Sequence, residues 1–365
     1  MNSKINIYII AFLVISVLFS SSCNKTRNAD DIAVISQTNI DASLDRDSVP
    51  GDAAIAFKDL NTPAHVEKSF VQNDISISIN ADVSVPEVES LNRIVFVFDE
   101  DNMNRIVNEW LLPAYPDAKT HTDESFDYGW GISKDDRSVL MGFSANKDGN
   151  IAFIDASKDI NGSAEDHHLE SRYITNKIPL GMNIDAKEAE SVAKAFVEKY
   201  SPFKYSAYKI TDINDDQRNK GYYEIYLQPE YKSIPVCVAV RSEGLGISMD
   251  FEVCISAEGI FAFQGNSNLK EIDCKSVENI MSFESIMEYF SNDIAVLAIG
   301  TDIRVNNIYL AYIPEYDNSA NPEIKLTPAW CFEYTDSRIE DGQEIEMNFT
   351  VAYSVENGRV MGKFF

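Results

Sequence analysis

The chain has 365 residues, with 31 Lys and Arg against 58 Asp and Glu, which gives a formal net charge of −27 at pH 7. A surface of that sign repels polyanions, and no stretch gathers basic residues, so nucleic acid is not an expected partner. Hydrophobic residues at 45% and charged residues at 24% fit a globular chain able to fill real cores, and the length suits about two or three domains.

Residues 1–22 carry one charge, Lys4, before the apolar run Ile7 to Phe19. A membrane-spanning helix needs about 20 such residues, so this shorter run reads as the hydrophobic region of a signal peptide. Ser20, Ser21 and Ser22 then lead directly into Cys23. The segment resembles a bacterial lipoprotein signal, and departs from it where a Ser occupies the position usually held by Leu, three before the cysteine. The resemblance implies that Cys23 becomes an acylated N-terminus, so that the protein is lipid-anchored to a membrane with no spanning helix. Cleavage removes Lys4 and no acid, leaving 30 basic and 58 acidic residues and a net charge of −28. Asn24, where Asp would favour retention in the inner membrane, points to the outer membrane. Residues 23–62 are polar and aperiodic and are expected to form a flexible tether.

From 63 to 156 the pattern is that of an α+β domain. Ile75, Ile77 and Ile79 alternate with serines, and Ile94 to Phe98 is a solid apolar run of strand length. Met103, Ile106, Val107, Trp110 and Leu111 then recur at helical spacing until Pro113 ends the pattern. Phe126, Tyr128 and Trp130 alternate with polar residues and glycines. Such a row is a candidate ligand-contact platform for flat sugar or aromatic groups, and equally the buried side of a half-exposed strand. Two apolar runs, 139–143 and 151–154, flank Asn146-Lys147-Asp148-Gly149-Asn150, a hairpin signature.

Residues 157–181 are rich in Asp, Ser, Asn and Gly and read as a linker. Beyond them one order of elements runs twice, in residues 182–272 and 273–365. The first pass opens on a capping box, Asp185 to Glu188, and a helix with Ala189, Val192, Ala193, Phe196, Val197 and Tyr200 on one face. Strands follow at 205–210, 222–227, 234–240, 248–256 and 260–263. The second opens on Ser282 with Phe283, Ile286, Met287 and Phe290, followed by strands at 305–313, 328–334, 346–354 and 359–361. Each pass ends with a Ser, an acidic turn with Gly, and a short apolar strand. The expected fold is therefore α+β, with antiparallel sheets each packed by one amphipathic helix.

The second pass, with Pro328-Ala329-Trp330-Cys331-Phe332 and Glu356-Asn357-Gly358-Arg359-Val360, resembles the PepSY-type domains of protease propeptides and sensor-kinase accessory proteins. The whole plan is similar to an uncharacterised lipoprotein family of Gram-negative gut anaerobes. The resemblance implies a tandem PepSY-like half and a non-catalytic module that binds and restrains a protein or peptide partner.

Chemistry-bearing motifs are sparse. The sequence has no HExxH, no G-x-S-x-G and no CxxC spacing, so no catalytic residue, metal site or cofactor is assigned. His167 and His168, inside an acidic stretch, diverge on either a helix or a strand. With Cys23 acylated, Cys237, Cys254, Cys274 and Cys331 remain. A hairpin through Gly244 and Gly246 would set Cys237 and Cys254 diagonally, a strained geometry for a disulfide, which favours buried thiols. A glycan-binding or adhesion role rests on the aromatic row alone. A carboxylate-dependent hydrolase would need a concave pocket holding paired acids.

Overall fold

Period-two patterning governs this chain. The computed structural model describes residues 54–120, 127–133, 139–158, 163–164, 172–215, 218–237, 249–317, 322–340 and 342–364. The first strands are β1 (Ala54–Ala56), β2 (His65–Gln72), β3 (Ile75–Ser84) and β4 (Leu91–Phe98). Helix α1 follows over Glu100–Ile106, capped by the Asp99 side chain on the Asn102 N–H. It widens into a π-turn at Val107–Leu111 and closes with Leu112–Ala114. The sequence places the helix end at Pro113; the π-turn just ahead of the proline relaxes the ring's clash with the preceding turn, and the helix runs one residue further. Next come β5 (Lys119–Thr120), β6 (Tyr128–Ser133), β7 (Val139–Ala145), β8 (Asn150–Asp155), β9 (Ser163–Ala164) and β10 (Tyr173–Ile174).

Helix α2 spans Ala186–Lys199, and both bonds of the expected Asp185–Glu188 capping box are present. After it lie β11 (Lys204–Asp215), β12 (Lys220–Tyr231), β13 (Ile234–Pro235), β14 (Phe251–Ser256), β15 (Gly259–Asn266), β16 (Leu269–Val277) and β17 (Asn279–Met281). Helix α3 (Phe283–Leu297) starts on the Ser282 side chain. The chain ends in β18 (Asp302–Asp317), β19 (Glu323–Glu340), β20 (Gln343–Ser354) and β21 (Val360–Phe364).

These strands form an eleven-stranded sheet, with the path β10-β11-β12-β14-β15-β8-β7-β6-β5, and an eight-stranded sheet, with the path β16-β4-β19-β18-β3-β2. β20 and β21 extend the second sheet beside β19, and β1 pairs with β17 separately. This overturns the expected α+β class, with one helix packed on each antiparallel sheet in tandem units. Strands dominate, and both large sheets are mixed, because β10 runs parallel to β11 and β3 parallel to β18. Helices α1 and α2 share the eleven-stranded sheet: Trp110 and Phe196 both rest against Phe263, at 5.3 and 5.0 Å between ring centroids. Helix α3 stacks Phe290 on Phe332 of the other sheet at 4.2 Å. The sheets also cross the boundaries expected from the sequence: β8 joins β15, and β4 joins both β16 and β19. Periodicity reports which face of a strand is buried; it carries no information on which distant strand completes the ladder.

One hydrophobic core serves both sheets. Phe96 on β4 meets Phe203 and Tyr231, from the eleven-stranded side, at 5.3 and 5.0 Å. Across the junction of β8 and β15, Phe153 stands opposite Phe263, their rings stacked at 5.5 Å.

The repeated element order survives inside this fused body. β11-β12-β14-β15 and β18-β19-β20-β21 are both meanders that follow a helix. Their closing hairpins turn on Gly259 and Gly358 at φ of 104° and 65°, and β7–β8 turns likewise on Gly149 at 86°. Pro229 and Pro328 hold corresponding places in the two meanders. Pro328 sits between the β19 residues paired to β4 (Ile324 to Leu326) and those paired to β20 (Ala329 onward). Pro229 sits between the β12 residues paired to β14 (up to Leu227) and those paired to β13 (from Glu230). Each proline's missing N–H thus falls where no neighbouring strand asks for a donor.

Candidate functional site

Strand β12 alternates without a break, so Tyr223, Ile225 and Leu227 enter the core while Tyr222, Glu224 and Tyr226 turn to the opposite face. On that second face the register builds two rows. Thr211, Glu224, Cys254 and Ala262 are neighbours across four strands. Lys209, Tyr226, Glu252 and Gln264 form the row beside them. Glu224 and Glu252 are therefore diagonal neighbours, and Glu252 and Cys254 lie two residues apart on the same side of β14.

The donor atoms of Glu224, Glu252 and Cys254 all lie within 4.8 Å of one another. Thr211 donates its hydroxyl to Glu224 Oε2 at 3.2 Å. Glu252 is only 9% exposed, and its Oε1 is buried with no hydrogen-bond partner among the described residues. Burial pushes both carboxyls above the ordinary glutamate range, Glu252 furthest, because the charges of Glu224 and Asp250 add to its desolvation. Lys209 and the Thr211 hydroxyl oppose the shift at Glu224. The Tyr226 and Tyr208 hydroxyls beside these acids are held well above the usual tyrosine range, first by burial. Tyr208 donates to Asp250 Oδ2 at 3.0 Å. The arrangement is a half-buried patch of acids, hydroxyls and a thiol able to keep a proton or hold a cation.

Sequence reading missed this cluster. Its one signal was an acid interrupting an apolar strand, Phe251-Glu252-Val253-Cys254-Ile255, and the partner at Glu224 became apparent only with the β12–β14 register.

Cys23 and the tether up to residue 53 lie outside the described residues, as do Phe126, His167 and His168. Tyr128 stacks on Phe98 at 5.5 Å and Trp130 leans on Phe143 at 5.6 Å, so both half-buried rings pack against the core. The four body cysteines carry no disulfide. Cys237 and Cys254 do not share a hairpin. After β13 the chain crosses to the eight-stranded sheet, where the Cys237 N–H donates to the Tyr312 carbonyl at 2.8 Å. Its thiol meets that of Cys331, which burial pushes well above the usual range. Cys274 is exposed on β16.

A second feature is an edge. β2 ends the eight-stranded sheet, and its outer backbone has no strand partner among the described residues. Its last residues reach α3, where Gln72 Nε2 donates to the Asn292 carbonyl at 3.3 Å. The same end of the sheet holds the loop after α3, tied down by Ser76 N–H to Thr301 O and Thr301 N–H to Ser337 O. Four exposed aliphatic side chains come from these segments: Val71 (72%), Val296 (59%), Ile299 (37%) and Ile339 (79%). Asp336, fully buried, accepts the Ile299 and Gly300 N–H groups at 2.7 and 2.8 Å and fixes that loop.

No protein-family model and no curated protein sequence matches the chain. Among solved structures, the crystal structure of an uncharacterised protein from Eubacterium rectale ATCC 33656 is similar, with a TM-score of 0.58 at 14% identity over 90% of this chain and 99% of that one. The likeness extends through both sheets, and what it shows is a shared fold.

Proposed function

We propose that this protein is a non-enzymatic envelope lipoprotein, anchored in the outer membrane through acylated Cys23, which binds a peptide or protein partner along the open edge of β2. The observation that carries the reading is the coincidence of an unpaired edge strand with exposed Val71, Val296, Ile299 and Ile339 at one end of the same sheet. An extended segment added to such an edge gains main-chain hydrogen bonds from β2, while its side chains meet exposed Val71 at the end of that strand. The net charge of −28 left after cleavage favours approach of a segment with basic residues, an attraction that salt weakens.

Affinity capture from detergent-solubilised envelopes tests the reading, with the full chain and its Cys23 anchor intact. A reproducible partner is expected with the wild type, and its recovery is expected to fall in a Val71→Asp, Ile339→Asp double variant that keeps its native circular dichroism. Equal recovery with both proteins would refute docking at this edge.

A further inference from the structure

Glu224, Glu252 and Cys254 combine two hard oxygen donors with a soft sulfur, brought together from two strands by the ladder register. A buried carboxyl oxygen left without a hydrogen-bond partner is destabilising, and Glu252 Oε1 is such an atom. We propose that these three side chains form a binding site for one Zn²⁺ ion. The inference is independent of the partner-docking reading. Tetrahedral zinc, with oxygens at about 2.0 Å and a thiolate at about 2.3 Å, sets its donors about 3.3–3.5 Å apart, which lies inside the 4.8 Å span of this cluster. Coordination gives Glu252 Oε1 the partner it lacks.

Zinc binding at the cluster displaces to solvent the protons that the three groups hold. Around it, Lys209 faces Glu224 with a repulsive charge for a cation, Asp250 faces Glu252 with an attractive one, and the Tyr208 and Tyr226 hydroxyls are neutral. Donor type selects the metal. Calcium requires about six to eight oxygens and magnesium a shell of oxygens and waters, whereas one thiolate with two carboxylates suits zinc. Glu224, the most exposed of the three, gives the ion its path from solvent, and three protein ligands leave a fourth position for water.

The test loads the chelator-stripped full chain with Zn²⁺, desalts it and measures bound metal, then repeats the titration with Co²⁺ and follows the thiolate-to-cobalt charge-transfer band. One zinc per chain is expected, together with a cobalt band that disappears in Cys254→Ser and a zinc affinity weakened by about ten-fold or more in Glu252→Gln. Failure to retain zinc, cobalt bound with no charge-transfer band, or a band that persists in Cys254→Ser overturns the proposal. Should Cys254→Ser fail to fold, Glu224→Gln decides: an unchanged zinc affinity in that variant also overturns it.

Discussion

Glu252 on β14 lies diagonally across one antiparallel ladder from Glu224 on β12, and their two carboxyls meet on a largely buried face. Both are held above the glutamate range, so in the metal-free protein the folded state binds a proton that the unfolded chain releases near pH 4.3, the ordinary glutamate value of about that size. The stability linked to that proton is complete below the unfolded value and is lost as pH rises through the folded one. With chelator present, the thermal midpoint of the wild type should therefore fall as pH rises from mildly acidic to alkaline, and Glu252→Gln should flatten the profile. Each unit of upward shift is worth about 1.4 kcal/mol. Parallel profiles for the two proteins would show that the pair does not titrate as described.

Thiol chemistry should separate the body cysteines. Cys237, Cys254 and Cys331 are buried and Cys274 is exposed. Brief alkylation of the native protein followed by peptide mapping should mark Cys274 alone of the four, with the others reacting only after denaturant is added. Native labelling of Cys331 would contradict its placement beneath the outer face of β19.

Asp336 is the acceptor for two N–H groups in the loop after α3, with no exposure to solvent. Asp336→Ala leaves the buried Gly300 donor and the partly buried Ile299 donor without their partner and should cost about 2–3 kcal/mol in denaturant unfolding. Gly300→Ala should also destabilise, because a Cβ there collides with the Ser337 carbonyl.

Pro328 interrupts an eighteen-residue strand at the point where its lateral partner changes from β4 to β20. Pro328→Ala should change stability by no more than about 1 kcal/mol. Phe332→Pro, three pairs inside the β20 ladder and under the Phe290 ring, should cost about 3 kcal/mol or more. Equal effects at the two positions would mean that the strand has no such gap.

Local structure was legible where one residue carried the signal. The Asp185–Glu188 capping box, the Ser282 cap and the hairpin at Gly149 are set by side chains within a few residues, and all three stand where the sequence puts them. The fold class was not legible. Ile94 to Phe98 announced a buried strand, yet nothing in those residues identifies β16 and β19 as its neighbours, so a chain read as separate helix-and-sheet units is instead two shared mixed sheets. β2 was missed because its burial does not alternate cleanly, and β16 because its middle is polar and exposed. The Glu224, Glu252 and Cys254 cluster was hidden for the same reason as the topology: its members share a face only through long-range register. Tyr128 and Trp130 alternated as expected, and their half-buried rings lie against Phe98 and Phe143.

Docking along β2 is tested most directly by site-specific photocrosslinking in the intact envelope. A benzophenone side chain at position 71, on the open edge, should capture one discrete partner band, while the same group at Val192, exposed at 46% on α2, should not. Raised salt should weaken the band from position 71. Capture of the same partner from position 192, or of none from position 71, would contradict the account.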